Sequence, residues 1–244
     1  MIWAIFLLAG FTQGVSGFGS ALVAMPLLTM YMDVQTAAPL CILNGLVITL
    51  SLSLQLRRHI DWLRIRPLLI GCLPGVLFGL LVLKNISSTI LQVFLGMLIV
   101  GYAVFSLLNK IKRPEKIRGV WPYFAGFCTG GFSSALGAGG PPTIIYVSLT
   151  GWTKDEIKAS LSIFFFISGI VTALGHALSG LTTELVLRKF MMGVPFTIIG
   201  VLAGVLLYNR INQQHYIKIM LWILMVMGVG MMGKALFQAY GLLL

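Results

Sequence analysis

The chain has 244 residues, of which 58% are hydrophobic and 9% charged, with a mean hydropathy of +0.99. A soluble domain carries about 25% charged residues, so this chain lacks the polar surface to live in water and is read as an all-α integral membrane protein. Its formal net charge of +11 does not mark a nucleic-acid partner, because the cations gather in short stretches between apolar runs: Arg57, Arg58, Arg64 and Arg66, then Lys110, Lys112, Arg113, Lys116 and Arg118. That is the positive-inside pattern, which sets orientation in the lipid bilayer and faces anionic lipid.

Eight apolar segments follow in chain order, at residues 1–31, 36–56, 67–84, 89–109, 119–150, 157–180, 186–208 and 216–240. A spanning helix needs about 20 apolar residues, which suits all but the first and fifth. The start, Met1-Ile2-Trp3-Ala4-Ile5-Phe6, has no basic flank and runs on into apolar sequence. It is expected to be a retained segment rather than a signal peptide. As one straight helix, the first segment would run to roughly 46 Å at 1.5 Å per residue, well beyond a hydrocarbon core of about 30 Å.

Both long segments carry a glycine-rich stretch in the middle: Gly14-Val15-Ser16-Gly17-Phe18-Gly19-Ser20 in the first, Ser133-Ser134-Ala135-Leu136-Gly137-Ala138-Gly139-Gly140-Pro141-Pro142 in the fifth. Gly10, Gly17 and Gly19 recur as Gly130, Gly137 and Gly139, each 120 residues later. The correspondence extends further, since Asn44-Gly45-Leu46-Val47 is echoed by Ser168-Gly169-Ile170-Val171, and Gly75 and Gly79 by Gly200 and Gly204. Each glycine pair is a small-xxx-small face suited to close helix packing. The expected architecture is therefore two sequence-related repeats of four segments, residues 1–109 and 119–244, joined by a basic cytoplasmic linker at 110–118. Each repeat opens with a discontinuous or re-entrant helix. The basic stretches at 57–66 and 110–118 share a side, because two plain helices separate them. If the broken segments cross the bilayer the repeats are parallel. If they turn back, the repeats are inverted and both termini lie outside.

In lipid, an opened backbone is tolerated only where protein buries it or where it lines a cavity, and matched broken helices in a duplicated membrane protein point to a substrate site. Freed N–H groups and half-helix N-termini favour anions. The expected binding residues are Ser16, Gly17, Gly19 and Ser20 in the first copy, and Ser133, Ser134, Gly137, Gly139, Gly140 and Thr143 in the second. Asn44 and Ser168, matched across the repeat, either reach the substrate or bond between helices. Pro141-Pro142 suits the start of a half-helix, whereas Pro26 is read as a kink. Asp33, Asp61, Glu115, Asp155, Glu156 and Glu184 all fall at or near loops, which weighs against a cation cage and for an anionic substrate. His176 is open between a gating role and a satisfied histidine near the interface, and Lys234 is expected to snorkel. Cys41, Cys72 and Cys128 have no metal-ligand spacing, and neither metal nor cofactor is expected.

Gly14-Val15-Ser16-Gly17 also matches the GxSG motif of intramembrane serine proteases, with His176 as a conceivable partner. The second copy has Leu136 where Ser16 stands, so the glycines repeat without the serine. A backbone role is favoured, with no catalytic residue and no enzyme activity.

The doubled motif, Gly14 to Ser20 followed by Pro26 and Gly137-Ala138-Gly139-Gly140-Pro141-Pro142, resembles the sulfite exporter TauE/SafE family of membrane permeases over the whole chain. The resemblance implies transport of sulfite, sulfoacetate or related small anions across a bacterial inner membrane. Family members often carry three glycines in a row at the break, where this chain has Gly19-Ser20-Ala21 and a second copy interrupted by Pro141. A secondary permease working by alternating access is the expected function, with a passive anion channel as the alternative. The sequence leaves a homodimer open.

Overall fold

The computed structural model describes residues 1–56, 60–108, 119–150, 152–208, 210 and 212–239. Arg57, Arg58 and the expected linker at 110–118 lie outside the described residues. Among those described, the chain is all-helical: α1 (Ile2–Ser16), α2 (Ser20–Thr29), α3 (Val34–Leu56), α4 (Trp62–Asn85), α5 (Ser88–Leu108), α6 (Trp121–Leu136), α7 (Gly140–Ser148), α8 (Lys154–Leu178), α9 (Glu184–Leu207) and α10 (Gln213–Ala239). Six of them, α3, α4, α5, α8, α9 and α10, are long and apolar enough to cross a membrane. Large apolar side chains such as Leu77, Phe78, Leu81, Met191 and Leu206 stand exposed on the outside, as lipid-facing helices require.

Local chemistry sets several helix starts. Asp61 caps α4 by accepting from the backbone N–H groups of Leu63 and Arg64 at 3.1 and 3.3 Å. The helix therefore begins before the apolar run does, and Arg64 and Arg66 lie within it rather than in a loop. Thr153 and Glu156 form a reciprocal capping box at α8, which draws Glu156 and Lys158 into that helix. Thr183 caps α9, with Glu184 in the first turn opposing the positive helix end. Pro26 lies inside α2.

Two close-packed seams organise the molecule. On α4, Gly71, Gly75 and Gly79 lie directly on the backbone of Tyr123, Phe127 and Gly131 of α6. On α9, Gly200 and Gly204 lie on Leu7 and Phe11 of α1, while Gly10 and Gly14 return the contact at Thr197 and Val201. Residue numbers rise together along both seams, so each helix pair is parallel. A third seam, where Gly96 of α5 meets Met232 and Gly228 meets Val100, is antiparallel. Without a hydrophobic effect between helices in lipid, close backbone approach of this kind is what holds them. The buried core includes Phe6, Met25, Leu28, Leu40 and Leu95, and lies between these seams.

Candidate functional site

The site is built where α1 stops and α2 starts, and where α6 stops and α7 starts. Gly17 ends α1 with φ 83°, its N–H bonded to the Gln13 carbonyl at 2.7 Å. Gly137 ends α6 with φ 64°. Both are left-handed caps that an L side chain rarely adopts. After Gly17 the chain runs back beside α1, with Gly19 against the Thr12 methyl and the Ser20 hydroxyl donating to Gln13 Oε1. Ile2 and Ile5 of α1 share a pocket wall with Leu28 of α2 and with Tyr31 just beyond its end, so α1 enters and the α2 segment leaves at one end of the molecule. The second pair behaves alike: Gly139 lies against Thr129 and Ser133, and the Thr129 and Thr143 hydroxyls bond across from α6 to α7.

The two junctions meet. A cavity of about 70 Å³ is lined by Gln13, Gly19, Ser20, Ala21 and Leu22 from the first, and by Ser133, Gly137, Gly139 and Gly140 from the second. Cys41, Ile42, Gly45, Leu46 and Thr49 of α3, with Phe165 and Gly169 of α8, complete its wall. No carboxylate, lysine, arginine or histidine is among these residues.

Donors are not evenly shared between the two sides. In α2 the first helical backbone bond runs from Val23 N–H to the Gly19 carbonyl at 3.2 Å. The N–H groups of Ser20, Ala21 and Leu22 therefore precede the ladder, and all three residues line the cavity. In α7, Pro141 and Pro142 follow Gly140 and have no N–H to offer. The Gln13 amide adds a further donor, because its oxygen is held by Ser20 while its NH₂ group remains for another acceptor. The α2 end is thus the richer half of an anion-favouring environment.

Of the residues expected from the sequence, Gly19, Ser20, Ser133, Gly137, Gly139 and Gly140 line this cavity. The others lie beside it with local partners. The Ser16 hydroxyl donates to the Thr12 and Phe18 carbonyls at 2.7 and 2.5 Å. Gly17 packs against the Lys158 stem. Asn44 donates to the Leu40 carbonyl at 3.0 Å and accepts from Thr197 of α9 at 2.9 Å, so its bond is between helices. Ser134 donates to the Val76 carbonyl of α4 at 3.0 Å, Thr143 pairs with Thr129, and Ser168 donates to the Phe165 carbonyl. Gln13, Cys41, Thr49 and Phe165 were not expected. Gln13 was legible in retrospect as a polar side chain buried in an apolar segment one residue before the first motif. The His176 ring meets the Ser134 carbonyl at 2.9 Å, on the second junction rather than beside Ser16. Lys234 reaches the Met30 carbonyl at 2.9 Å from an exposed position.

These helices and this uncharged, donor-rich cavity describe a multi-pass membrane protein. The family model described as "Sulfite exporter TauE/SafE" matches residues 2–231, and the chain belongs to that family, whose members are transporters. It is also similar to a "Probable sulfite/organosulfonate exporter TauE" from Cupriavidus necator, 28% identical over 198 residues, covering 79% of this chain and 77% of the relative. No solved structure matches the chain.

Proposed function

We propose that the chain is a secondary permease that exports a small sulfur-containing anion, sulfite or a short organosulfonate, across a bacterial inner membrane, and that it is not an enzyme. The observation that carries this reading is the shared cavity: Gly19 and Ser20 of one glycine motif line the same space as Gly137, Gly139 and Gly140 of the other. The anion is held by the leading N–H groups of α2, the Gln13 amide and the Ser20 and Ser133 hydroxyls. Oriented neutral donors stabilise negative charge without a lysine, and so without a tight ion pair that would slow release.

Residues 1–109 and 119–244 are read as two inverted repeats, with α1–α2 and α6–α7 as re-entrant hairpins entering from opposite sides. The α1 helix lies parallel to α9, the third segment of the other half, and α6 lies parallel to α4 in the reciprocal arrangement. α5 and α10, the last segment of each half, are antiparallel. All three relations follow from one two-fold axis in the membrane plane. Both termini are then outside and the Arg64 end of α4 is cytoplasmic. Alternating access arises as the two hairpins and their seams rock about the central cavity.

Purified protein in liposomes tests the reading. Saturable exchange of radiolabelled sulfite, competed by organosulfonates, is expected. Conductance that does not saturate, with no counterflow, would establish the passive channel instead.

A further inference from the structure

Lys158 and His176 lie near opposite ends of α8, about 27 Å apart at 1.5 Å per residue. Each reaches a main-chain carbonyl at the end of a first hairpin arm. Lys158 Nζ donates to the Gly14 carbonyl of α1 at 3.1 Å, and His176 Nε2 lies 2.9 Å from the Ser134 carbonyl of α6. Gly14 and Ser134 are equivalent positions, 120 residues apart. Both carbonyls belong to the last turn of a helix, where the backbone leaves acceptors unpaired and the dipole is negative. A donor from outside the helix is what such an end lacks.

The surroundings of the two groups separate a holding role from chance contact. The Lys158 stem covers Gly17, its Cγ 2.8 Å from where a Cβ would stand, and its ammonium lies 4.1 Å from the centre of the ring of Tyr208, the residue that follows α9. In the equivalent place on the other hairpin, Gly137 is covered by Met25 Sδ and by the Cα and methyl of Ala38, none of which is a donor. His176 is fully buried, and its Nδ1 has no partner among the described residues. The Ser134 carbonyl is thus the hydrogen-bond partner that accounts for a buried imidazole here, and it fixes the Nε2–H tautomer. One helix therefore grips both junctions, at its two ends, by two different side chains.

Resting on the permease reading above, we infer that Lys158 and His176 are paired positioning residues, the two latches by which α8 closes the central cavity toward opposite sides of the membrane. Lys158 holds the α1–α2 tip closed at the end of α8 that begins with Lys154. His176 holds the α6–α7 tip closed at the end that finishes with Leu178. Release of one latch opens that side while the other stays shut, which is the exclusivity alternating access requires. Each hydrogen bond biases the equilibrium between the two open states, so its loss shifts their ratio.

Cys41 lines the cavity and serves as the reporter. In the full chain carrying Cys72→Ala and Cys128→Ala, a membrane-impermeant thiol reagent is added to right-side-out and to inside-out vesicles, and the Cys41 labelling rate is read from each side. Lys158→Met is expected to raise labelling about tenfold from the cytoplasmic side, and His176→Leu about tenfold from the outside, taking the loss of one charge-assisted or buried bond as the shift. Lys158→Arg, which keeps a donor and the stack on Tyr208, and His176→Gln, which keeps an N–H at the same reach, are expected to restore the wild-type ratio. A shift of both variants toward the same side, or equal loss of melting temperature with an unchanged ratio, would overturn the latch. Counterflow in the same vesicles is read separately. Wild-type counterflow with no change in sided labelling rejects the latch alone, whereas absent wild-type counterflow rejects the permease reading whatever the labelling shows.

Discussion

Replacing Gln13 by methionine removes the side-chain amide from the cavity at nearly constant volume. Gln13 is buried, at 3% exposure, and its oxygen is held by Ser20, so the NH₂ group is oriented before any anion arrives. A hydrogen bond to a charged group contributes about 1.5–3 kcal/mol, and each 1.4 kcal/mol is about tenfold in affinity. Gln13→Met is therefore expected to raise the half-saturation concentration for sulfite counterflow by roughly 10- to 100-fold. The Ser20 hydroxyl, released from Gln13, can turn to the Ser16 region or to the anion, which places the effect toward the lower end. Gln13→Glu is expected to be worse, because a carboxylate beside the anion adds like-charge repulsion to the lost donor. The assay is half-saturation in proteoliposome counterflow, with melting temperature measured alongside. An unchanged half-saturation in Gln13→Met protein of wild-type melting temperature would refute the donor argument and remove Gln13 from the site.

Three further outcomes are expected from the packing. Gly75→Leu on α4 drives a side chain into the Phe127 backbone of α6 and should destabilise the protein by about 1–3 kcal/mol, as overpacking does, read as a fall in detergent melting temperature; an unchanged melting temperature would mean the seam is not formed. Asn44→Leu breaks the bond to Thr197 of α9 and should cost about 0.6–2 kcal/mol of stability with half-saturation unchanged, whereas a raised half-saturation would put Asn44 back at the substrate. Arg64→Ala loses contacts to Asp61 at 2.9 Å and Glu156 at 3.6 Å and a stack on Trp152, yet these groups are solvated and the loss should stay below about 1 kcal/mol; a melting shift of many degrees would show that the α4–α8 contact is a structural clamp.

What could be read from the chain alone was the punctuation of the helices. The apolar run from Met1 to Tyr31 is too long for one span, and the glycines inside it fall where α1 ends. Which way each polar side chain faces was not legible. Helices that are apolar all round carry little periodicity to mark a buried face, so Asn44 and Gln13 look alike in sequence. Only tertiary packing separates them: α3 against α9 brings Asn44 to Thr197, and α1, held on α9 by Gly10 and Gly14, places Gln13 on the cavity wall. Ser134 and Thr143 are read from the sequence as donors because they stand in or next to the motif; hydroxyls in a helix also readily bond a carbonyl or another helix, and in the structure Ser134 bonds the Val76 carbonyl and Thr143 pairs with Thr129. Lys158 stands in a short charged stretch with Lys154, Asp155 and Glu156, which reads as a loop by hydropathy. The Thr153 capping box winds it into α8 and brings it to Gly14. The start of α4 at Trp62 was hidden for a similar reason, since an N-cap at Asp61 is a local signal that hydropathy does not register.

The central claim is that both glycine junctions form one anion site. Sulfite counterflow measured for Ser20→Val and for Gly140→Val, each alone in purified proteoliposomes, tests it most directly, because the two residues lie 120 positions apart in sequence and line the same cavity. Each substitution is expected to abolish the same saturable, organosulfonate-competed component while the protein still inserts and melts cooperatively. Full counterflow with wild-type half-saturation in either variant would contradict a shared site.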